Sequence, residues 1–313
     1  MLNKKSKIYL AGHTGLVGSS ILRKLKRSGY KNIIYKPSKQ LDLKNQKKVL
    51  VFLKKHKPDF IFIAAAKVGG IYSNNKFKAD FIYDNLSIQT NIIHSAYLCG
   101  VKNLIFLGSS CVYPRNCKQP IKEKYLLSGA LEETNDAYAI AKIAGIKMCE
   151  AYNKQYGLDY LCLMPTNLYG PNDNYDLNTS HFYPALISKI HQAKIKKKKF
   201  LKIWGNGKPL RELLYVDDLA NACEFFLKKK TRHFLINIGS GEEKTILNFA
   251  KFIMERLNVD LKIKFDKKKP NGTYKKLLDS SLARKLGWSH KTNFEKGISI
   301  VINDYLKNHL KKS

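Results

Sequence analysis

Ile8-Tyr9-Leu10-Ala11-Gly12-His13-Thr14-Gly15-Leu16-Val17-Gly18 is the stretch whose reading decides the fold. Its first four residues form an apolar run of buried-strand length. Three glycines in the spacing G-x-x-G-x-x-G follow, and an amphipathic segment over residues 16–28, stopped by Gly29, reads as a helix. Strand, glycine turn and helix in that order present free backbone N–H groups and the positive end of a helix dipole to an incoming phosphate. The glycines let the chain turn tightly and let a pyrophosphate approach the backbone. Gly12, Gly15, Leu16, Val17 and Gly18 are therefore candidate dinucleotide-binding residues.

The rhythm continues outward from this turn. Residues 32–35 read as a short strand and residues 60–64 as a longer one. A helix is expected over residues 79–99, closed by Gly100, with Ile82, Leu86, Ile93 and Tyr97 as its apolar stripe. Residues 103–107 and 160–164 are further strands. This alternation predicts an α/β fold, a Rossmann-type doubly wound parallel sheet with helices on both faces. In such a fold the second strand ends near the adenosine ribose, where an acid suits a 2′-hydroxyl and a base suits a 2′-phosphate. Here it ends Tyr35-Lys36-Pro37-Ser38-Lys39, with no carboxylate before Asp42. That favours NADP(H) over NAD, with Lys36 as a cofactor-binding candidate.

After Pro165 the pattern changes. Residues 166–180 are polar and rich in Asn and Asp, and are expected to form a long ordered loop of the kind that carries function. Helices are expected near residues 184–194, 217–228, 246–257 and 294–307, and short strands near 202–204, 235–238 and 261–265. We read a smaller, mainly C-terminal α/β substrate lobe. The expected division is residues 1–168 with 208–241 for the dinucleotide domain, and 169–207 with 242–313 for the substrate-binding lobe.

Composition narrows the function classes. Lys and Arg number 57 against 24 Asp and Glu, a formal charge of +33. Such a surplus suits a polyanionic partner or the steering of an anionic substrate. It equally suits a plain solvated lysine-rich surface, which is the default reading. No aromatic-basic repeat of the kind that stacks bases is visible, so no nucleic-acid partner is expected. The cysteines (Cys99, Cys111, Cys117, Cys149, Cys162 and Cys223) are scattered without metal spacing, and reduced thiols and no metal are expected. No apolar run reaches the roughly 18 residues of a membrane span. The N-terminus runs into the first strand with no apolar signal segment, and a cytoplasmic protein with no membrane partner is expected.

Three clusters fit one active site: Ser109-Ser110-Cys111, the pair Tyr138 and Lys142, and His181. Tyr138 and Lys142 stand four apart in a helical stretch and so share a face. An ammonium beside a phenol favours the phenolate and is expected to lower the tyrosine pKa. A tyrosine tuned in this way can exchange a proton with a carbonyl oxygen near neutral pH. Alone this spacing is most often an exposed helix face. Downstream of a nucleotide loop it points to carbonyl chemistry.

With these pieces in order, the chain resembles the extended short-chain dehydrogenase/reductases. Within them it is most similar to the family of GDP-4-keto-6-deoxy-D-mannose 3,5-epimerase-4-reductases. The similarity rests on Ala64-Ala65-Ala66-Lys67-Val68-Gly69-Gly70-Ile71, on Phe106-Leu107-Gly108-Ser109-Ser110-Cys111-Val112-Tyr113-Pro114, and on Tyr138-Ala139-Ile140-Ala141-Lys142-Ile143-Ala144-Gly145. It also rests on Met164-Pro165-Thr166-Asn167-Leu168-Tyr169-Gly170-Pro171, Lys276-Leu277-Leu278-Asp279 and Leu286-Gly287-Trp288.

The resemblance implies proton removal and return at C3 and C5 of GDP-4-keto-6-deoxy-D-mannose, then hydride transfer from NADPH to C4. It implies Cys111 as the base and His181 as the acid. Tyr138 and Ser109 would act at the C4 oxygen, and Lys142 at Tyr138 and the nicotinamide ribose. Ala64, Ala66, Pro165, Asn167 and His181 join Tyr138 and Lys142 as cofactor-binding positions by the same resemblance. Lys189, Trp204, Arg211, Lys275 and Asp279 fall at substrate-side positions. The chain departs from the family at Thr14, Lys189 and Lys275, where members more often carry arginine. A homodimer is implied, through the helices near residues 79–99 and 137–155.

Two rival readings stay open on the residues. One is another sugar-nucleotide 4-ketoreductase, 4-epimerase or dehydratase of the same superfamily. The other is a non-enzymatic dinucleotide- or nucleic-acid-binding protein on the same fold.

Overall fold

The computed structural model describes residues 2–177, 179–268 and 273–309. Asn178, which leads into the His181 motif, lies outside them. So do Met1 and residues 269–272 and 310–313 within the expected division. The first strands are β1 (Ile8–Ala11), β2 (Ile33–Ile34), β3 (Phe60–Ile63), β4 (Asn103–Leu107) and β5 (Asp159–Pro165). They are followed by β6 (Asn167–Tyr169), β7 (Phe200–Trp204), β8 (Leu210–Tyr215), β9 (Leu235–Ile238), β10 (Glu243–Thr245) and β11 (Lys262–Asp266). The helices in the first half are α1 (Leu16–Arg27), α2 (Gln46–His56), α3 (Ile71–Lys76), α4 (Lys78–Leu98) and α5 (Asp136–Tyr156). Those in the second are α6 (Phe182–Ile195), α7 (Val216–Lys228), α8 (Ile246–Arg256), α9 (Ser281–Lys285) and α10 (Phe294–His309).

β1 and β3 are buried on both faces, which is why their sequences are apolar without alternation. They sit in a six-stranded sheet of order β2-β1-β3-β4-β5-β9, and every neighbouring pair is parallel. Residues alternate between its faces. Tyr9, Ile61, Ile63, Leu104 and Phe106 pack with Val49, Leu53, Ile92 and Ile146 of α2, α4 and α5. Ile8, Leu10, Phe60, Phe62 and Ile105 pack with Ile21, Leu25, Leu219 and Phe226 of α1 and α7. The sheet is thus doubly wound, and each such large side chain contributes roughly 1.5–3 kcal/mol on burial. From β1 the chain turns one way to β2, then returns to β3 on the other side. A crevice opens there beyond the strand C-termini, which is where such folds bind ligands.

A third core gathers Tyr169, Tyr183, Leu186, Ile190, Leu201, Phe249, Ile253, Ile298 and Ile302. It lies among α6, α8, α10 and two small sheets, β10-β8-β6 and β11-β7. The late chain also returns to the large sheet, where Ala283 and Trp288 join the core under α1 and α7.

Four features differ from the sequence reading. The stretch read as a loop contains β6, paired with β8 through Asn167↔Leu213 to Tyr169↔Tyr215. β8 itself was hidden because Arg211 and Glu212 interrupt its apolar run. Helix α2 is rich in lysine, but Asn45 caps it by accepting from the Lys48 N–H at 3.0 Å. The buried line of α4 runs through Phe81, Asn85, Gln89, Ile92 and Ala96, while Ile82, Leu86 and Tyr97 are half-buried. Asn85 exchanges two hydrogen bonds with the Lys67 backbone, and Gln89 Nε2 donates to the Ala141 carbonyl, while Gln89 Oε1 is buried without a partner.

Candidate active site

The nucleotide turn closes on itself. Gly12 adopts φ +87°, a conformation that favours glycine. A Cβ on Gly18 would lie 1.9 Å from the Gly12 carbonyl oxygen. The turn and the first turn of α1 therefore pack backbone on backbone. Gly15 precedes Leu16 and Val17 with no side-chain cap, which leaves the first N–H groups of α1 for a ligand. Ala64 lies beside this turn, its N–H donating to the Ala11 carbonyl at 3.0 Å. His13 Nδ1 is buried in the turn without a protein partner. These groups fit a dinucleotide pyrophosphate, and Lys36 and Lys39 stand exposed just past β2. Pro165 ends β5, and Asn167 Nδ2 donates to the Glu212 carbonyl at 3.2 Å.

Tyr138 and Lys142 project from the first turns of α5 toward the end of β4. Lys142 is buried and donates to the Leu107 carbonyl at 2.8 Å. Its Nζ lies 5.9 Å from the Tyr138 ring centroid and 4.7 Å from that of Phe106. Burial draws the lysine down to about 8, with a small opposing effect from Cys162. The expected lowering of the tyrosine is not found. Burial, reinforced by the Cys111 thiol, raises the Tyr138 phenol, and a hydrogen bond from Ser109 only partly opposes it. The cause is geometric, because the ammonium is committed to a carbonyl rather than to the phenolic oxygen.

Ser109 begins a short 3-10 turn over Ser110–Val112 and accepts from the Cys111 N–H at 3.2 Å. The thiol of Cys111 receives two donors that the sequence reading did not single out. Lys276 Nζ lies 3.3 Å and Asn135 Nδ2 3.4 Å from Sγ. Burial opposes ionisation of Cys111. The Lys276 charge, hydrogen bonds from Ser109 and Lys276, and the Arg211 charge outweigh it and hold the thiol below its ordinary value. Asn135 precedes α5, where an asparagine reads as a helix cap, yet its side chain makes no cap and turns to the thiol. Lys276 was quoted within a motif, but only its neighbour Lys275 was named as a candidate, on the substrate side.

His181 stands at the N-terminus of α6, exposed toward the cleft. The Gly70 N–H donates to the Thr179 carbonyl at 2.9 Å, which docks the loop before His181 against the segment after β3. Desolvation, then the charge of Lys276, lowers the imidazole pKa. One ammonium therefore favours a thiolate on one side and a neutral imidazole on the other.

The substrate-side candidates do not all gather in one place. Arg211 on β8 lies within electrostatic reach of Cys111 and Glu132, and burial lowers its pKa against both. Lys189 of α6 sits 5.1 Å from the Trp204 ring centroid, and burial lowers its pKa. Lys275 instead pairs with Glu243 at 2.8 Å. Asp279 accepts from the Ser281 N–H at 2.9 Å at the start of α9. Contacts and fields thus gather Ser109, Cys111, Tyr138, Arg211, Lys276 and His181 into one site, with Lys142 behind Tyr138. Lys189 and Trp204 form a second group.

Comparisons with known proteins agree on one family. Residues 8–239 match the NAD dependent epimerase/dehydratase family. GDP-L-fucose synthase 1 of Arabidopsis thaliana is 51% identical over 98% of this chain and 95% of its own length. GDP-L-fucose synthase of Escherichia coli (strain K12) is 44% identical over 97% and 98%. Among solved structures, a GDP-L-fucose synthetase from Naegleria fowleri bound to NADP superposes with a TM-score of 0.91 at 29% identity, covering 99% of this chain and 97% of that one.

Proposed function

The chain belongs to the NAD-dependent epimerase/dehydratase family, and we infer from its site and its full-length relatives that it carries GDP-L-fucose synthase activity. It inverts C3 and C5 of GDP-4-keto-6-deoxy-D-mannose and then reduces C4, with NADP(H) as cofactor. The observation that carries this reading is the Cys111 thiol, held under Lys276 and Arg211 beside the Ser109–Tyr138 pair. A plain 4-ketoreductase has no use for such a thiol.

Inversion needs a base on one face of the sugar and a proton donor on the other. Cys111 serves as the base, because its thiolate is favoured without a neighbouring acid. His181 returns the proton from the cleft side. The C4 ketone acidifies the adjacent carbons, and Ser109 and Tyr138 hold its oxygen as charge develops there. In the second stage Tyr138 gives the C4 oxygen its proton, and Lys142 supplies positive charge behind it. When bound, NADPH supplies the hydride. The Gly12–Gly18 turn, Ala64, Ala66, Pro165 and Asn167 would hold it, and Lys36 would meet its 2′-phosphate. Arg211 takes the diphosphate with its planar fork. Lys189, Trp204, Lys275 and Asp279 complete the nucleotide side.

Residues 1–168 with 208–241 form the cofactor part in this reading, and 169–207 with 242–313 the substrate part. The protein acts as a homodimer through α4 and α5, which leave Tyr83 and Ile140 exposed. No helix among the described residues is long and apolar enough to cross a membrane. Six free cysteines suit a reducing cytoplasm.

The test is NADPH oxidation with GDP-4-keto-6-deoxy-D-mannose in deuterated water. Oxidation with two carbon-bound deuterons in the product is expected. Oxidation without deuterium would make the enzyme a plain reductase and remove Cys111 and His181 from the chemistry.

A further inference from the structure

Glu212 is a carboxylate with no exposed surface, at the centre of β8. Among the described residues it makes no ion pair, so its charge is met by hydrogen-bond donors alone. Oε1 accepts from the Gly241 N–H at 2.7 Å and Oε2 from the Leu278 N–H at 3.0 Å. Burial pushes this carboxyl up, against the hydrogen bonds that favour its charge, and Thr166 Oγ1 donates to the Glu212 backbone carbonyl at 3.3 Å. The pocket is fitted to it, for a Cβ on Gly239 would lie 2.3 Å from Oε1. Glu212 therefore joins the turn after β9 and the segment two residues beyond Lys276 through its carboxylate, and the segment after β5 through its backbone.

That last segment is held on its other side as well. Leu277 N–H donates to Gln119 Oε1 at 2.9 Å, and Ile121 and Leu278 form a parallel bridge. Lys276 immediately precedes these ties, and its Nζ is 3.3 Å from Cys111 Sγ. The charged groups facing that thiol are Lys276 from this segment and Arg211 from β8, the residue beside Glu212. Tyr138 of α5 faces it too, and Lys276 also acts on His181.

We propose that Glu212 is a positioning residue for the epimerisation site: its carboxylate fixes the backbone that carries Lys276 and so sets the ionisation of Cys111. Glutamine has nearly the same shape but only one acceptor oxygen. Its amide would turn a donor toward either Gly241 or Leu278 N–H and release one of the two segments.

The proposal rests on the site assigned above, but its test needs no turnover. Alkylation of Cys111 by iodoacetamide, followed by peptide mass analysis across pH, reads the thiolate directly. Lys276→Met should move the midpoint upward. Glu212→Gln should move it the same way and slow alkylation at pH 7 up to about tenfold, the change that one pKa unit makes in thiolate fraction. The double variant should go no further than Lys276→Met, because both act through one ammonium. If Glu212→Gln does not fold, Glu212→Asp keeps the charge with a shorter reach and should shift the midpoint in the same direction. A folded Glu212 variant with the wild-type midpoint, beside a shifted Lys276→Met, would overturn the proposal. Retained deuterium exchange in Cys111→Ser would instead sink the assignment of the base and leave this result standing.

Discussion

Replacing Tyr138 by Phe removes one hydroxyl and keeps the ring whose centroid lies 5.9 Å from Lys142 Nζ. NADPH oxidation should then fall by at least about a hundredfold, the usual scale of general-acid catalysis. Deuterium exchange at C3 and C5 should stay measurable, because the thiol is untouched. Cys111→Ser should do the reverse and suppress exchange first. Equal loss of both steps in both variants would refute this division of labour. Lys142 adds a pH dependence. Burial lowers its folded value to about 8, so it is an ammonium below that pH and loses its charge as pH rises through it. The rate of hydride transfer should fall on the same limb, and a rate flat through pH 8 would remove Lys142 as its source. At this scale Tyr138, Lys142, Ser109, Cys111 and His181 were legible, because each motif has a spacing or a family likeness. Lys276 and Asn135 were not. One is a lysine in a lysine-rich chain, and the other stands where asparagine ordinarily caps a helix.

Helices α1 and α7 cover one face of the sheet, and two acids of α7 tie them together, Asp217 through Arg23 and Ser20 and Glu224 through Lys24 and Ser28. Glu224 accepts from Lys228 at 2.6 Å, Lys24 at 3.0 Å and Ser28 at 3.0 Å. Burial works against its charge, but these hydrogen bonds and the Lys24 charge prevail and hold it at about 2. Its folded pKa is depressed relative to the unfolded chain. Its stabilisation is therefore complete above roughly pH 4.3 and fades as pH falls toward 2. Glu224→Gln should lower Tm at neutral pH, and its gap to the wild type should close across that acid window. A gap constant from pH 7 to 3 would show that the clamp does not act through charge. Legibility at this scale followed burial. β1 and β3 could be read because parallel central strands are apolar throughout. β8 could not, since a buried carboxylate satisfied by backbone N–H groups looks in sequence like the edge of a loop. α4 was read as a helix but with its face misplaced, because Asn85 and Gln89 point inward to partners that only the fold supplies.

The whole molecule carries +33 and is proposed to act on a nucleotide diphosphate sugar with a phosphate-rich cofactor, so both ligands approach an attractive field. Its magnitude was plain from composition, but its consequence depends on where the lysines stand. Lys142 is buried behind Tyr138 and Lys276 reaches Cys111, whereas Lys197, Lys198 and Lys199 are exposed between α6 and β7. Exposed charges steer over a distance that salt sets, about 30 Å at 0.01 M and about 3 Å at 1 M. Charges within the site are screened far less. If the surface steers substrate, kcat/KM should fall roughly tenfold or more over that range while kcat changes little. Changing Lys197, Lys198 and Lys199 together to Gln should flatten the dependence and leave kcat alone. A kcat/KM indifferent to salt would assign the surface lysines to solvation only, and the working charge of the enzyme would then reside in Lys142, Arg211 and Lys276.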